Sequence, residues 1–264
     1  MIYGASYNVF NAEEHLLPSL KAIRPCLDYI NVVVQYVSNH GIPASPGLEA
    51  VIEEAKAGGL VDEVIHYRPN LSLSPAINEL AKRNIGLQQA KRAAVDYFIT
   101  LDCDEYYVQS EFNAAKQLIE DERLESTAVS TYLHIKRPIY RSALPDNTCC
   151  AFLTKLDVDS ELSYGAAYPA LVDPTRSLHG DRESFRMLPT ELVAMRHMNL
   201  VRHNIDGKLR NSTNAGMVDF MDLVRRAYSE WSPGKVLMFP NKTPMDIIEV
   251  DDIFHIDDIF SDVA

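Results

Sequence analysis

NELAKRNIGLQQAKRAAVDYFITLDCDEYY, residues 78–107, is the stretch that decides how this chain is read. Ser74-Pro75, just upstream, gives an N-cap followed by a proline at the first helical position, and the helix it opens runs to about Ala94. The compact apolar run at 97–101 (YFITL) is a strand, and it ends in Asp102-Cys103-Asp104-Glu105. In an extended chain residues i and i+2 point the same way, so Asp102 and Asp104 can present two carboxylates to one point. Two hard oxygen ligands at a strand end suit Mg²⁺ or Mn²⁺, and such sites are usually completed by substrate phosphates. A solvated acidic turn is the alternative. An EF-hand is excluded, because Tyr107 stands where its glycine must be and Asn113 where its bidentate glutamate must be.

Working outward, residues 2–9, 30–37 (INVVVQYV) and 61–67 read as three more strands. A helix over 46–57 is closed by Gly58-Gly59. Asn11 and Glu14 read as a capping box for a helix that must end by Pro25; Pro18 inside it either kinks the helix or delays its start. Strand–helix alternation with short connections predicts an α/β fold with a mostly parallel sheet flanked by helices. Ligands of such sheets sit at the carboxyl ends of the strands, which here carry Tyr7-Asn8, Gln35 to Asn39, and Asp102 to Glu105. Downstream, a helix from Ser110 to about Arg123 precedes a mixed, β-like region over 128–201 and an amphipathic helix over 214–228.

The chain has 264 residues, with 25 Lys+Arg against 37 Asp+Glu and a formal charge of −12, which argues against a nucleic-acid or anionic-membrane footprint. One large domain is expected over 1–242, with an acidic tail over 243–264 that has no Lys or Arg but retains Ile247, Ile248, Ile253, Phe254, Ile259 and Phe260. Such apolar content predicts that part of the tail docks. Four cysteines without a CxxC pair, no signal-peptide pattern and no apolar run of ~18 residues predict a cytoplasmic protein without a transmembrane segment. P-loop, dinucleotide and G-x-S-x-G motifs are absent. Arg83 and Lys82 lie on the helix that leads into the D-x-D strand; an arginine fork suits phosphate oxygens, and a solvated basic face is the alternative. Gly86 in that helix costs roughly 1 kcal/mol against Ala, so a close approach is expected there. His197 and His203 are six residues apart, which fits no common zinc spacing. His179-Gly180-Asp181-Arg182-Glu183 holds carboxylates able to act as a base or to pair with Arg182 and Arg186.

The ordered set formed by the opening strand, residues 61–67 (VDEVIHY) and residues 78–107 resembles GT-A glycosyltransferases, particularly family 2-like enzymes. MRHMNLVRHNIDGKLRNS, residues 195–212, resembles a C-terminal segment of one bacterial and viral branch, so the resemblance covers about residues 1–215. It implies a nucleotide-sugar donor half over 1–107 and an acceptor half over 108–242. It implies a metal-dependent transfer of a sugar, of the hexosyltransferase type, from a nucleotide-diphosphate sugar to a glycan or other hydroxyl acceptor. Asp102 and Asp104 would take the metal and sugar-nucleotide positions, with Arg83 facing the diphosphate. Gln35 and Ser38, with Tyr7 and Asn8 at the neighbouring strand end, would meet the nucleoside, although the acidic residue often seen at the second strand's end is missing. His197 would complete the Mn²⁺ (or Mg²⁺) site, and Asp181 or Glu183 would serve as the base of an inverting reaction. The rival readings are a phosphatase-like hydrolase using Asp102 and Asp104, and a non-catalytic sugar-nucleotide-binding module.

Overall fold

The computed structural model describes residues 1–145, 148–164, 168–179 and 184–263. The first hundred residues form β1 (Tyr3–Val9), α1 (Leu16–Ile23), β2 (Tyr29–Val34), α2 (Leu48–Ala57), β3 (Glu63–His66), α3 (Pro75–Arg92) and β4 (Tyr97–Asp102). The four strands pair in parallel in the order β3-β2-β1-β4. β1, β2 and β4 are buried almost throughout, as befits parallel strands covered on both faces.

Two local rules were decided by tertiary contacts. The Asn11–Glu14 capping box does not form: Asn11 turns left-handed (φ 47°), and its side-chain oxygen accepts from Ser45 N at 2.8 Å. α1 therefore starts late, at Leu16, which leaves Pro18 in the first turn, where no backbone donor is needed. α3 starts as expected, with Ser74 Oγ accepting from Ile77 N at 3.3 Å. Asn78, Lys82, Gly86 and Ala90 form its buried stripe at successive four-residue steps. A Cβ on Gly86 would lie 1.8 Å from Ser6 Oγ, so the glycine lets α3 ride directly on β1.

The chain continues through β5 (Glu105–Tyr106), α4 (Gln109–Glu122), β6 (Ser126–Ile135), β7 (Arg137–Ser142), β8 (Cys149–Lys155), β9 (Glu161–Leu162), β10 (Leu178–His179), β11 (Phe185–Met187), β12 (Met195–Leu200), α5 (Ile205–Asn211), α6 (Val218–Glu230) and β13 (Ile247–Glu249). β8 is antiparallel to both β4 and β6 and extends the sheet through β6 and β7 to β13. The α/β class with a mixed second half is thus observed. One apolar core runs through both halves, joining Tyr7, Val32 and Ile99 to Phe112, Phe152 and Met195. The acidic tail lies on the body: Phe260 is buried and stacks on His15 and His203, at 5.1 and 5.2 Å, and Asp257 pairs with Arg137. Among the described residues no helix is long and apolar enough to cross a membrane, and all four cysteines are free.

Candidate functional site

The parallel strands carry their last residues to one end of the sheet, and Asn8 of β1 stands beside Asp102 of β4 in register. β4 stops at Asp102. Cys103 and Asp104 form a turn rather than a continued strand, so strand alternation does not aim the two aspartates. Basic residues from elsewhere hold them instead. Asp102, with about a third of its side chain exposed, accepts from Arg83 Nη2 at 3.0 Å and from Arg176 Nη2 at 2.7 Å. Arg176 also grips Glu105 at 2.6 Å, and Glu105 in turn accepts from Asp102 N at 3.1 Å. Asp104 is buried; its Oδ2 accepts from Arg202 and from Lys208 Nζ, the latter at 2.6 Å.

These partners set the charge state. Burial pushes the Asp102 carboxyl upward, but Arg83 and Arg176 outweigh it and hold the group at about 2. Burial also opposes ionisation of Asp104, and Lys208, Arg202 and His197 hold it well below the usual carboxylate range. Both carboxylates are ionised at neutral pH.

β12 places His197. It pairs antiparallel with β5, with His197 opposite Glu105, and Met198 N donates to Asp104 O at 2.7 Å. This stitching brings His197 Nε2 to 3.9 Å from Asp104 Oδ1. That spacing is too wide for a hydrogen bond and lies within the span of two ligand bonds of roughly 2.1 Å to one small divalent ion. An anionic oxygen and an imidazole nitrogen are a reasonable pair for Mn²⁺. Among the described residues no three His, Cys, Asp or Glu side chains gather as a metal set. An ion there would draw its other ligands from substrate and water, which is usual for such cations.

Two expected contacts need correction. Arg83 is fully covered, its guanidinium committed to Glu79 at 2.8 Å, Thr100 at 3.0 Å and Asp102, so it braces Asp102 from below and does not face a diphosphate. Tyr7 is buried in the core with its hydroxyl on Ser19 Oγ at 2.9 Å, because β1 is covered on both faces; it does not reach the cleft. Ser38 is buried and uses its hydroxyl to accept from His40 N at 3.2 Å and Ile42 N at 3.1 Å, which shapes the loop after β2. Gln35 is buried with Oε1 unpartnered, and Asn8 Oδ1 is likewise buried and unpartnered. Asp181 and Glu183 lie outside the described residues.

The sequence reading assigned no role to Arg176, Arg202, Lys208 or Glu79. A signal existed for Glu79: four residues before Arg83 on a helix is ion-pair spacing. Nothing local marks Arg176 or Lys208. A groove of about 910 Å³ between α1, the start of α4 and tail residues Ile253 to Ile259 lies apart from this chemistry; Asp102, Asp104 and His197 do not line it.

No protein-family model matches the chain, and no curated protein sequence does. Solved structures do. Residues 1–349 of S. aureus TarS match at 12% identity and TM-score 0.47, over 80% of this chain and 64% of that one. The same TarS residues in complex with UDP-GlcNAc match at 16% identity and TM-score 0.38, over 50% of this chain and 35% of that one. Mannose-1-phosphate geranyltransferase from Thermus thermophilus matches at 14% identity and TM-score 0.30, over 58% and 50%. The chain therefore spans less than two thirds of the length of each. At these scores the likenesses add nothing to the fold that the sheet order itself displays.

Proposed function

We propose that the chain is a divalent-ion-dependent glycosyltransferase of the hexosyltransferase type, moving a sugar from a nucleotide-diphosphate sugar to an acceptor hydroxyl in the cytoplasm. The observation that carries this reading is the approach of His197 to Asp104 beside Asp102, at the carboxyl end of β4. In parallel sheets that end is where ligands bind. Asp104 and His197 would hold Mn²⁺ or Mg²⁺. Bound there, the ion would supply positive charge for the leaving diphosphate.

The chain's own residues do the rest. Asp102, kept ionised and fixed by Arg83 and Arg176, is a preorganised acceptor for donor hydroxyls. The nucleoside would lie at the ends of β1 and β2, beside Asn8 and Gln35. If transfer inverts the anomeric carbon, Asp181 or Glu183 takes the acceptor's proton as the new C–O bond forms and the sugar–phosphate bond breaks, releasing nucleoside diphosphate.

The test is release of nucleoside diphosphate from a panel of sugar nucleotides with Mn²⁺. EDTA should abolish it and Asp104→Asn should cost at least ~10²-fold in kcat. Release of inorganic phosphate from phosphate esters instead would favour the hydrolase reading. Full turnover in EDTA would remove the ion from the scheme, and binding without turnover of any donor would leave a binding module.

A further inference from the structure

The groove between α1, the start of α4 and the docked tail encloses about 910 Å³, within the roughly 300–1,000 Å³ that holds a small ligand. Its walls are mostly apolar: Pro18 and Ala22 on α1, Val108 before α4, and Ile253, Phe254 and Ile259 on the tail. Phe254 packs against Tyr106, with ring centroids 4.9 Å apart, and so fixes this wall to β5. Ile253 and Ile259 stay 49% and 41% exposed, although they belong to a docked segment. The charge is one-sided. The chain carries 37 Asp+Glu against 25 Lys+Arg, yet Lys21 is the only residue of these four types that lines the groove. Lys21 has no ion pair among the described residues. Glu111 on α4 and Asp257 in the tail are turned to Arg196 and Arg137. α4 opens here with Val108 at its N-cap, which offers no side-chain acceptor. The N–H groups of its first turn, beginning with Gln109 and Ser110 in the groove lining, carry the positive end of the helix.

We propose that this groove binds a small anionic amphiphile, a single alkyl chain ending in a carboxylate. The chain lies along Val108, Ile253 and Ile259, and the carboxylate meets Lys21 and the start of α4. An alkyl chain covers apolar surface that the fold leaves wet. The ammonium and the uncapped N–H groups supply charge-assisted hydrogen bonds, and one cation in the lining answers one charge on the ligand. Other occupants fit less well. Thirteen residues line the groove, against roughly 20–30 a side in a stable protein interface. An anionic bilayer would meet a chain of net charge −12 and the tail acids Asp251, Asp252 and Asp258. Asp102, Asp104 and His197 lie outside the groove, so its ligand is not the sugar donor.

The test is calorimetric titration of the full chain with straight-chain carboxylates from butanoate to dodecanoate, and with octanol as the neutral counterpart of octanoate. Affinity should rise about 4-fold per added methylene until the groove is filled. Octanoate should bind roughly 10-fold more tightly than octanol, the scale of one charge-assisted hydrogen bond. Lys21→Gln should remove most of that preference and keep the chain-length trend. Ile259→Asp, a change at an exposed side chain, should weaken every carboxylate by roughly 10-fold or more, with thermal melting near that of wild type. Absence of binding through dodecanoate overturns the proposal. So does equal affinity for octanoate and octanol, or carboxylate binding that both variants leave unchanged.

Discussion

The strands before Asp102 and the elements after it are built on different principles. In the first half β1, β2 and β4 are largely buried strands of one parallel sheet, and Asn8 and Asp102 stand together at its carboxyl end. In the second half the strands are mixed in direction, and the important side chains reach back. Arg176 contacts Asp102 across 74 residues of sequence, Arg202 contacts Asp104 across 98, and Lys208 across 104. The first half supplies acidic groups at fixed places together with Arg83, and the second adds Arg176, Arg202 and Lys208, which help keep them ionised. Carboxylates this covered persist only with partners, so the site does not exist without both halves.

Arg176 is where this dependence is sharpest. Its guanidinium is nearly buried and joins Asp102 to Glu105, so Arg176→Met leaves both carboxylates without it. Breaking a buried pair from one side typically costs about 3–5 kcal/mol. Urea unfolding of Arg176→Met should show a loss of that size. A variant as stable as wild type would mean that the apolar core alone joins the halves.

Gly86 probes the first half by itself. An added methyl at this position would meet Ser6 Oγ at 1.8 Å and Ser6 Cβ at 2.7 Å. Alanine is worth about 1 kcal/mol more than glycine in a helix, and overpacking typically costs about 1–3 kcal/mol. Gly86→Ala should therefore be net destabilising, and Ser6→Gly in the same chain should restore much of the loss. A stabilising Gly86→Ala would show that α3 has room above β1.

The same contrast explains what was legible. β1 to β4, α2 and α3 could be read because apolar runs, Ser74-Pro75 and Gly58-Gly59 are local signals. Gly86 was readable as a close approach because a mid-helix glycine costs stability. Asp102, Asp104 and His197 stood out through their motif, and the fold brings them to one place. α5 was not readable: it is short, polar, contains Gly207, and is held by Asp104, Leu209's neighbours and the loop after β2. The failed capping box has the same cause, a hydrogen bond from Ser45, 34 residues away. Arg83 was misplaced because sequence does not say whether a basic residue points outward to a ligand or inward to a carboxylate. Its neighbours on the buried stripe, Lys82 and Gly86, held the hint.

The docked tail offers the smallest test of how far the second half reaches. His203 bonds Glu14 at 2.9 Å and Asp262 at 3.1 Å, and its ring stacks on Phe260. Partial burial disfavours the imidazolium, but Glu14 and Asp262 outweigh it and raise the pKa above the ordinary value. The folded state therefore holds a proton that the unfolded chain releases near pH ~6.5. The stability this adds is fully present below that pH and is lost as pH rises through the elevated folded value. Because the ring is more than a third exposed, the whole effect should stay within about 1 kcal/mol. Melting temperatures measured from pH 6 to 9 should show this shallow decline in wild type, and His203→Gln should flatten it. If both chains decline alike, the pair with Glu14 and Asp262 does not hold the tail, and the burial of Phe260 carries the docking.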